Sequence, residues 1–264
     1  MLQYGTNIVA GTSPSKGGTT VHGLPVYDTV EEAQKRHAAN ASIIFVPAPY
    51  ATDAALEALE NGIKTVVVIT EHIPIKDAID LMAHAKTVGV TVIGPNTPGV
   101  ITPEKCKLGI LPSHVFTHGN VGIASRSGTL TYEIASDLTK AGIGQSSCIG
   151  LGGDPVTGLN FIDAIELFRD DAETAAVALI GEIGGNLEEL AAEYLTKEDY
   201  PKPVVAYIAG RFAPPEKRMG HAGAIIMGKT GTAESKTASF EAACVAVAKT
   251  PGDVAKLLAK ALGK

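Results

Sequence analysis

Seven histidines are scattered along the chain, and one of them stands in a setting the others lack. His221 lies within Lys217-Arg218-Met219-Gly220-His221-Ala222-Gly223-Ala224, with glycine on both sides and two cations ahead of it. Small neighbours leave an imidazole sterically open, and a glycine-rich loop lets it reach a ligand. A nucleophilic imidazole attacking a phosphoryl group needs such surroundings. His22, His37, His72, His84, His114 and His118 have no comparable context and read as structural or surface residues.

Three further segments carry groups that suit the same chemistry. Ile180-Gly181-Glu182-Ile183-Gly184-Gly185 ends an apolar strand with a carboxylate, at the sheet edge where open α/β folds bind ligands. Glu182 could hold one ring nitrogen of His221 and so fix its tautomer. Equally, it could be one more negative charge near the helix that begins at Asn186 and Glu188. Ser125-Arg126-Ser127-Gly128-Thr129-Leu130-Thr131-Tyr132-Glu133 joins a strand to a helix. Free N–H groups at a helix start, with Ser125, Ser127 and Thr129 hydroxyls and a close-approach Gly128, suit a phosphate. The segment lacks the Gly-Lys-Ser/Thr ending of a Walker loop, and a plain serine cap is the competing reading. The loop Thr12 to Thr20 presents Lys16 after a strand, a weaker pointer to a nucleotide phosphate or ribose, and Ile69-Thr70-Glu71 at another strand end is weaker still.

These groups must be positioned by alternating strands and helices. Apolar runs at 7–10, 42–46, 64–70, 91–94, 121–124, 147–151, 175–180, 204–208, 224–227 and 244–248 read as strands. Helical spacing marks 51–61, 75–88, 128–141, 161–168, 187–195, 233–242 and 254–262. Strands apolar on both faces and separated by helices imply parallel sheets covered on both sides. The Pro- and Gly-rich stretch from Pro95 to Gly119 breaks the rhythm and reads as a domain joint. The expectation is an α/β protein of two domains, 1–96 and 97–264. The chain opens on what reads as the second strand of its first domain.

Composition narrows the function. A formal charge of −6 speaks against nucleic-acid binding. Cys106, Cys148 and Cys244 are too few and too separated for a metal motif or a disulfide framework, which favours a reducing compartment. No apolar run approaches the roughly 20 residues of a membrane helix, and the first residues lack a signal core. The expected location is the cytoplasm, or the mitochondrial matrix for an organellar form, with no metal held by this chain.

Together these segments resemble the α-subunit of succinyl-CoA synthetase (succinate–CoA ligase). The likeness runs in order through Tyr4-Gly5-Thr6, Gly17-Gly18, Val46-Pro47-Ala48-Pro49, Gly94 to Ile101, Ser125 to Glu133, Gly152-Gly153-Asp154-Pro155, Gly181 to Gly185 and Lys217 to Ile225. The Met-Gly-His-Ala-Gly-Ala segment is its most specific part. The resemblance implies a Rossmann-like CoA-binding domain followed by a flavodoxin-like CoA-ligase domain. It implies that His221 is phosphorylated by ATP or GTP bound with Mg2+ on a β-subunit, in an αβ or α2β2 assembly. The phosphoryl then passes to succinate, and the CoA thiol displaces phosphate from succinyl phosphate. By the same likeness Glu182 pairs with His221, and the helix starting near Ser127 steadies the phosphoryl. Tyr132 lies near succinate, while Lys16, Ile69, Thr70 and Glu71 contact CoA.

Ser15 and His72 stand where the family has glycine, which bears on loop shape and removes no catalytic group. Family members also carry a further strand and a phosphate-cradling Gly-rich loop ahead of the Tyr4 region. The expectation is therefore weak CoA binding by these residues alone, with the His221 chemistry retained. A malate–CoA ligase or citrate-handling relative, and a non-catalytic CoA-binding protein, are the alternatives. A dehydrogenase is disfavoured by the lack of a Gly-x-Gly-x-x-Gly turn.

Overall fold

The computed structural model describes residues 1–214, 219–226 and 231–264. The N-terminal part builds two small sheets. The first has the order β1-β3-β2, from β1 (Gly11–Thr12), β2 (Thr20–Val21) and β3 (Leu24–Tyr27), followed by helix α1 (Val30–Gln34). The second is parallel, β4-β5-β6, with β4 (Ala41–Ile44), α2 (Ala48–Glu60), β5 (Thr65–Val68), α3 (Ile75–Val88) and β6 (Thr91–Ile93) in chain order. The strand expected at 7–10 forms only beyond it, at β1, which pairs in parallel with β3. Ala51, Ala55, Ala58 and Leu59 of α2 and Ala78, Leu81 and Ala85 of α3 repeat at helical spacing and pack on Val66 and Val68.

The rest of the chain builds one seven-stranded sheet, β13-β12-β11-β9-β10-β7-β8. Its first two strands, β7 (Gly99–Thr102) and β8 (Cys106–Gly109), form an antiparallel hairpin that joins β10. The stretch expected to be a mere joint therefore contributes two strands. Glycines let it do so: a Cβ on Gly99 would sit 2.0 Å from the Leu108 carbonyl oxygen, and one on Gly109 2.3 Å from that of Pro98. The parallel strands follow as β9 (His118–Ser125), β10 (Gln145–Gly150), β11 (Ala176–Glu182), β12 (Val204–Ala209) and β13 (Ala246–Ala248). The helices between and after them are α4 (Gly128–Lys140), α5 (Phe161–Asp170), α6 (Leu187–Lys197), α7 (Ala233–Ala242) and α8 (Pro251–Ala261). Counted from β9, the parallel strands run second, first, third, fourth, fifth across the sheet. That is the flavodoxin-like order, whose crevice opens at the carboxyl ends of the first and third strands. Here those ends are Ser125 and Glu182.

Both faces of this sheet are covered. Ala176, Ala178 and Ile180 of β11 point with Val121 and Ile123 toward α4 and α8, where Ile134, Leu138 and Leu258 are fully buried. Val177 and Leu179 point the opposite way, to Phe161, Ile165, Ala191 and Phe240. The period-two alternation of a strand sandwiched by helices accounts for its continuous apolar sequence. Each large aliphatic or phenyl group buried there contributes about 1.5–3 kcal/mol.

Hydrogen bonds tie the two halves together. Gly158 N–H donates to Gly94 O at 2.9 Å and Leu159 N–H to Val92 O at 2.8 Å. At the other side Glu104 N–H donates to the Tyr4 hydroxyl at 3.0 Å, and Thr6 Oγ1 exchanges bonds with the Lys107 carbonyl and amide at 2.8 and 3.1 Å. No helix among the described residues is long and apolar enough to cross a membrane.

Candidate active site

From the end of β9 the chain turns through Ser125, Arg126 and Ser127 into α4. Ser127 is the N-cap, its hydroxyl accepting from Leu130 N–H at 3.4 Å. Ser125 is buried beneath the turn. Its hydroxyl donates to Ser127 O at 2.9 Å and accepts from Ser127 N–H at 3.1 Å. These two serines shape the turn, whereas Gly128 and Thr129, in the first turn of α4, line an adjacent cleft. First-turn N–H groups have no partner inside their own helix.

His221 lies across the carboxyl ends of the sheet. Its amide donates to Met219 O at 3.1 Å, its carbonyl accepts from Ala224 N–H at 3.1 Å, and Gly223 N–H donates to Gly153 O at 3.2 Å. These local turns replace the strand expected at 224–227; Ala224 to Ile226 form no strand, and Met227 lies outside the described residues. Lys217 and Arg218, the two cations ahead of the histidine, also lie outside them. The imidazole is set flat over Gly153, where a Cβ would come within 2.4 Å of Cγ.

Glu182 meets the ring from the end of β11. Nδ1 of His221 is 2.9 Å from Oε2 and 3.1 Å from Oε1. A carboxylate only accepts hydrogen bonds, so Nδ1 carries the proton. The bond to Glu182 raises the histidine pKa above its ordinary value; burial opposes this, Glu182's charge adds to it, Arg126 works against it and Asp154 supports it. Glu182 is itself buried, and the Arg126 guanidinium faces it at 3.4 Å from Oε1.

The cleft beside the ring has a volume of about 580 Å³. Phe45, Val46 and Pro47 form one part of its wall, and Ile69, Thr70 and Glu71 at the end of β5 form the next. Gly128, Thr129 and Tyr132 of α4 line it as well, together with Thr97, Pro98 and His221. Residues singled out separately in the sequence are thus gathered around one space. Tyr132 has its hydroxyl pKa raised by burial. Lys16 is exposed, in a loop held by Gly17 N–H on Asp28 at 2.8 Å, and is not part of that wall. Ser15 and His72 keep left-handed backbones, φ 63° and 64°, the region that favours glycine. A larger groove, about 830 Å³ between α3 and α5, includes none of the residues singled out from sequence.

Residues 1–72 match the model of the CoA binding domain, and residues 124–246 match that of the CoA-ligase family. The succinate–CoA ligase [ADP-forming] subunit alpha 2 of Archaeoglobus fulgidus is 58% identical over 262 residues, spanning 99% of this chain and 91% of that one. The α-subunit of Methanothermobacter thermautotrophicus is 57% identical, over 100% and 89% of the two chains. The chain belongs to the succinate–CoA ligase α-subunit family. Its fold also matches the structure of ATP citrate lyase from Methanothrix soehngenii in complex with citrate and coenzyme A, with a TM-score of 0.85 and 28% identity. That match covers 90% of this chain and 41% of the longer one.

Sequence reasoning missed part of what surrounds His221 in this family member. Arg126 was visible only as a letter between two serines, and Gly153 and Asp154 only as part of the family likeness. Glu188 reads only as a charge at a helix start and Lys236 carries no sequence signal, yet both are completely buried. Only their three-dimensional partners reveal them. No group of three or more His, Cys, Asp or Glu placed to hold a metal ion occurs among the described residues.

Proposed function

We propose that this chain is the phosphohistidine-carrying α-subunit of a succinate–CoA ligase, with His221 as the relay. The observation that carries the reading is the single cleft shared by the His221 ring, the first turn of α4, Tyr132 and the Ile69-Thr70-Glu71 strand end. A phosphoryl acceptor, an anion-favouring helix terminus and a CoA-domain wall are the three parts the reaction needs together.

In the first step the ring nitrogen away from Glu182 attacks the γ-phosphorus of a nucleoside triphosphate; the N–P bond forms as the P–O bond to the diphosphate breaks. Glu182 holds the proton on Nδ1 and compensates the positive charge that develops on the ring. Next a succinate carboxylate oxygen attacks phosphorus, releasing the imidazole and giving succinyl phosphate. The CoA thiolate then attacks the acyl carbon and phosphate leaves. Dividing one ligation into three transfers lowers each barrier. The N–H groups of Gly128 and Thr129, with the positive end of the α4 dipole, favour the phosphoryl charge. Tyr132 closes the space around the dicarboxylate, and Ile69, Thr70 and Glu71 bear on CoA, with Lys16 further out.

The nucleotide and its Mg2+ belong to a β-subunit in an αβ or α2β2 assembly; the ADP-forming relatives favour ATP. Their identity of more than half over nearly the whole chain favours succinate over malate or citrate. Reconstitution with a β-subunit and radiolabelled ATP or GTP tests the proposal. Wild type should take up acid-labile, base-stable phosphate and His221→Asn should take up none; equal labelling of the two overturns it.

A further inference from the structure

Behind Glu182 lies a chain of charges that the relay itself does not use. Glu188, at the start of α6, has no exposed surface, and neither has Lys236 of α7. Glu188 Oε1 accepts from Arg126 NH1 at 2.9 Å and from the backbone N–H of Glu182 at 3.1 Å. Its other oxygen is held by Lys236, which also donates to Glu189 at 3.0 Å and to the Gly185 carbonyl at 3.1 Å. Arg126 spans the gap between the two glutamates, with NH2 at 3.4 Å from Glu182 Oε1, and donates to Gly184 O at 3.2 Å.

The strand is shaped to admit this chain. A Cβ on Gly181 would lie 2.6 Å from Glu188 Cγ and 2.7 Å from its Oε1, so glycine there makes room for the carboxylate. Next along, a Cβ on Gly184 would lie 2.0 Å from Gly223 O, so the histidine loop rests directly on the segment that Arg126 and Lys236 fasten. Burying four charges costs several kcal/mol per ion unless pairing offsets it, and apolar clusters of similar volume are often as stable. Charges kept here point to a task other than stability.

We propose that Glu188 and Lys236 are a buried positioning pair for the His221–Glu182 couple, keeping Arg126 on one oxygen of Glu182 and the other oxygen on Nδ1. This rests on the relay reading above and adds residues to it. Glu188 fixes both the backbone amide of Glu182 and the guanidinium facing its side chain. Lys236 keeps Glu188 in place, since a lone buried carboxylate would turn toward any donor. The couple then presents one tautomer to every turnover.

The test reads the tautomer directly. The full chain is prepared with 15N-labelled histidine rings, His221→Asn identifies the signals, and spectra are taken above the ring's titration. In wild type the neutral ring should be almost wholly the Nδ1–H form. In Glu188→Gln the Nδ1–H to Nε2–H ratio should fall at least about fivefold, because the hydrogen bond that selects the tautomer is no longer aimed. Lys236→Met, which removes the charge that holds Glu188, should lower the ratio in the same direction. Should Glu188→Gln not fold, the charge-balanced Glu188→Gln/Lys236→Gln pair serves and should show the same fall. Phosphate labelling with the β-subunit should drop at least about tenfold in these variants. An unchanged tautomer ratio in the folded variants overturns the proposal, whether or not labelling falls. Labelling of His221→Asn at the wild-type level would instead remove the relay reading and leave the tautomer result standing by itself.

Discussion

Gly153 supports the His221 imidazole so closely that a single methyl group there isolates ring position from ring chemistry. In Gly153→Ala the new Cβ would stand 2.4 Å from Cγ, 2.5 Å from Nδ1 and 2.7 Å from Cδ2, whereas ordinary contact begins near 3.4 Å. The shortfall obliges the ring to shift by about 1 Å from the position in which it holds a 2.9 Å bond to Glu182. The contact is with a side chain on a loop, and Gly153 has no positive φ, so the fold itself should lose less than about 1 kcal/mol. A 1 Å misplacement of a reacting group costs on the order of a hundredfold in rate. Rapid-quench labelling with the β-subunit and ATP should thus show phosphohistidine forming roughly a hundredfold more slowly, while thermal melting stays near wild type. Labelling at the wild-type rate by a folded Gly153→Ala protein would refute the argument that ring placement on this glycine sets the reaction.

Other consequences follow from the charges. The ring must be neutral to attack phosphorus, and its pKa is raised chiefly by the Glu182 bond. The phosphorylation rate should therefore rise with pH through a midpoint above the ordinary histidine value, and Glu182→Gln should move that midpoint down. Loss of a hydrogen bond to a charged group, about 1.5–3 kcal/mol, should also lower the plateau roughly ten- to a hundredfold; an unmoved midpoint in a pH–rate series counts against it. Burial would by itself raise the Glu188 pKa, but Arg126 and Lys236 overcome it and lower the value below the glutamate range. Its stabilising contribution is present above the unfolded-state pKa and is lost as pH falls through the lowered one. Lys236→Met should cost about 3–5 kcal/mol and bring acid unfolding to higher pH, as followed by circular dichroism. His72→Gly should relieve a left-handed backbone worth about 1 kcal/mol and raise the melting temperature; a decrease would show the histidine has contacts that outweigh its strain.

Where local chemistry dictated structure, the sequence could be read closely. Helix α3 matches its expected span because Pro74 precedes it and Gly89, at φ 68°, ends it. Helix α8 starts three residues earlier than its apolar pattern, since Pro251 and the Thr250–Asp253 capping box extend it. The β7–β8 hairpin was hidden because Gly99 and Gly109, which signal a loop in sequence, serve in space to bring two backbones together. Ala224 and Ile226 read as a strand because both are apolar, yet they are buried individually against the core and have no paired neighbour strand among the described residues. In the site, the carboxylate, the histidine and the helix terminus were legible because each marks its own loop with small residues. Lys236 and Glu188 were not: they are 48 positions apart, and nothing in a helix's charge pattern tells a buried cation from a hydrated one.

The ties from Tyr4 and Thr6 to the hairpin and from Val92 and Gly94 to Gly158 and Leu159 join the two halves at two separate places. They work like the frame of a calliper whose jaws have been locked, so the gap between the β5 end and α4 is gauged before any substrate arrives. On the relay reading proposed above, delivery of a phosphoryl group then falls to the short, glycine-flanked arm carrying His221 or to the docking partner, rather than to opening and shutting of the frame. Lengthening one of those ties should widen the gauge and slow acyl transfer more than it slows phosphorylation of the histidine.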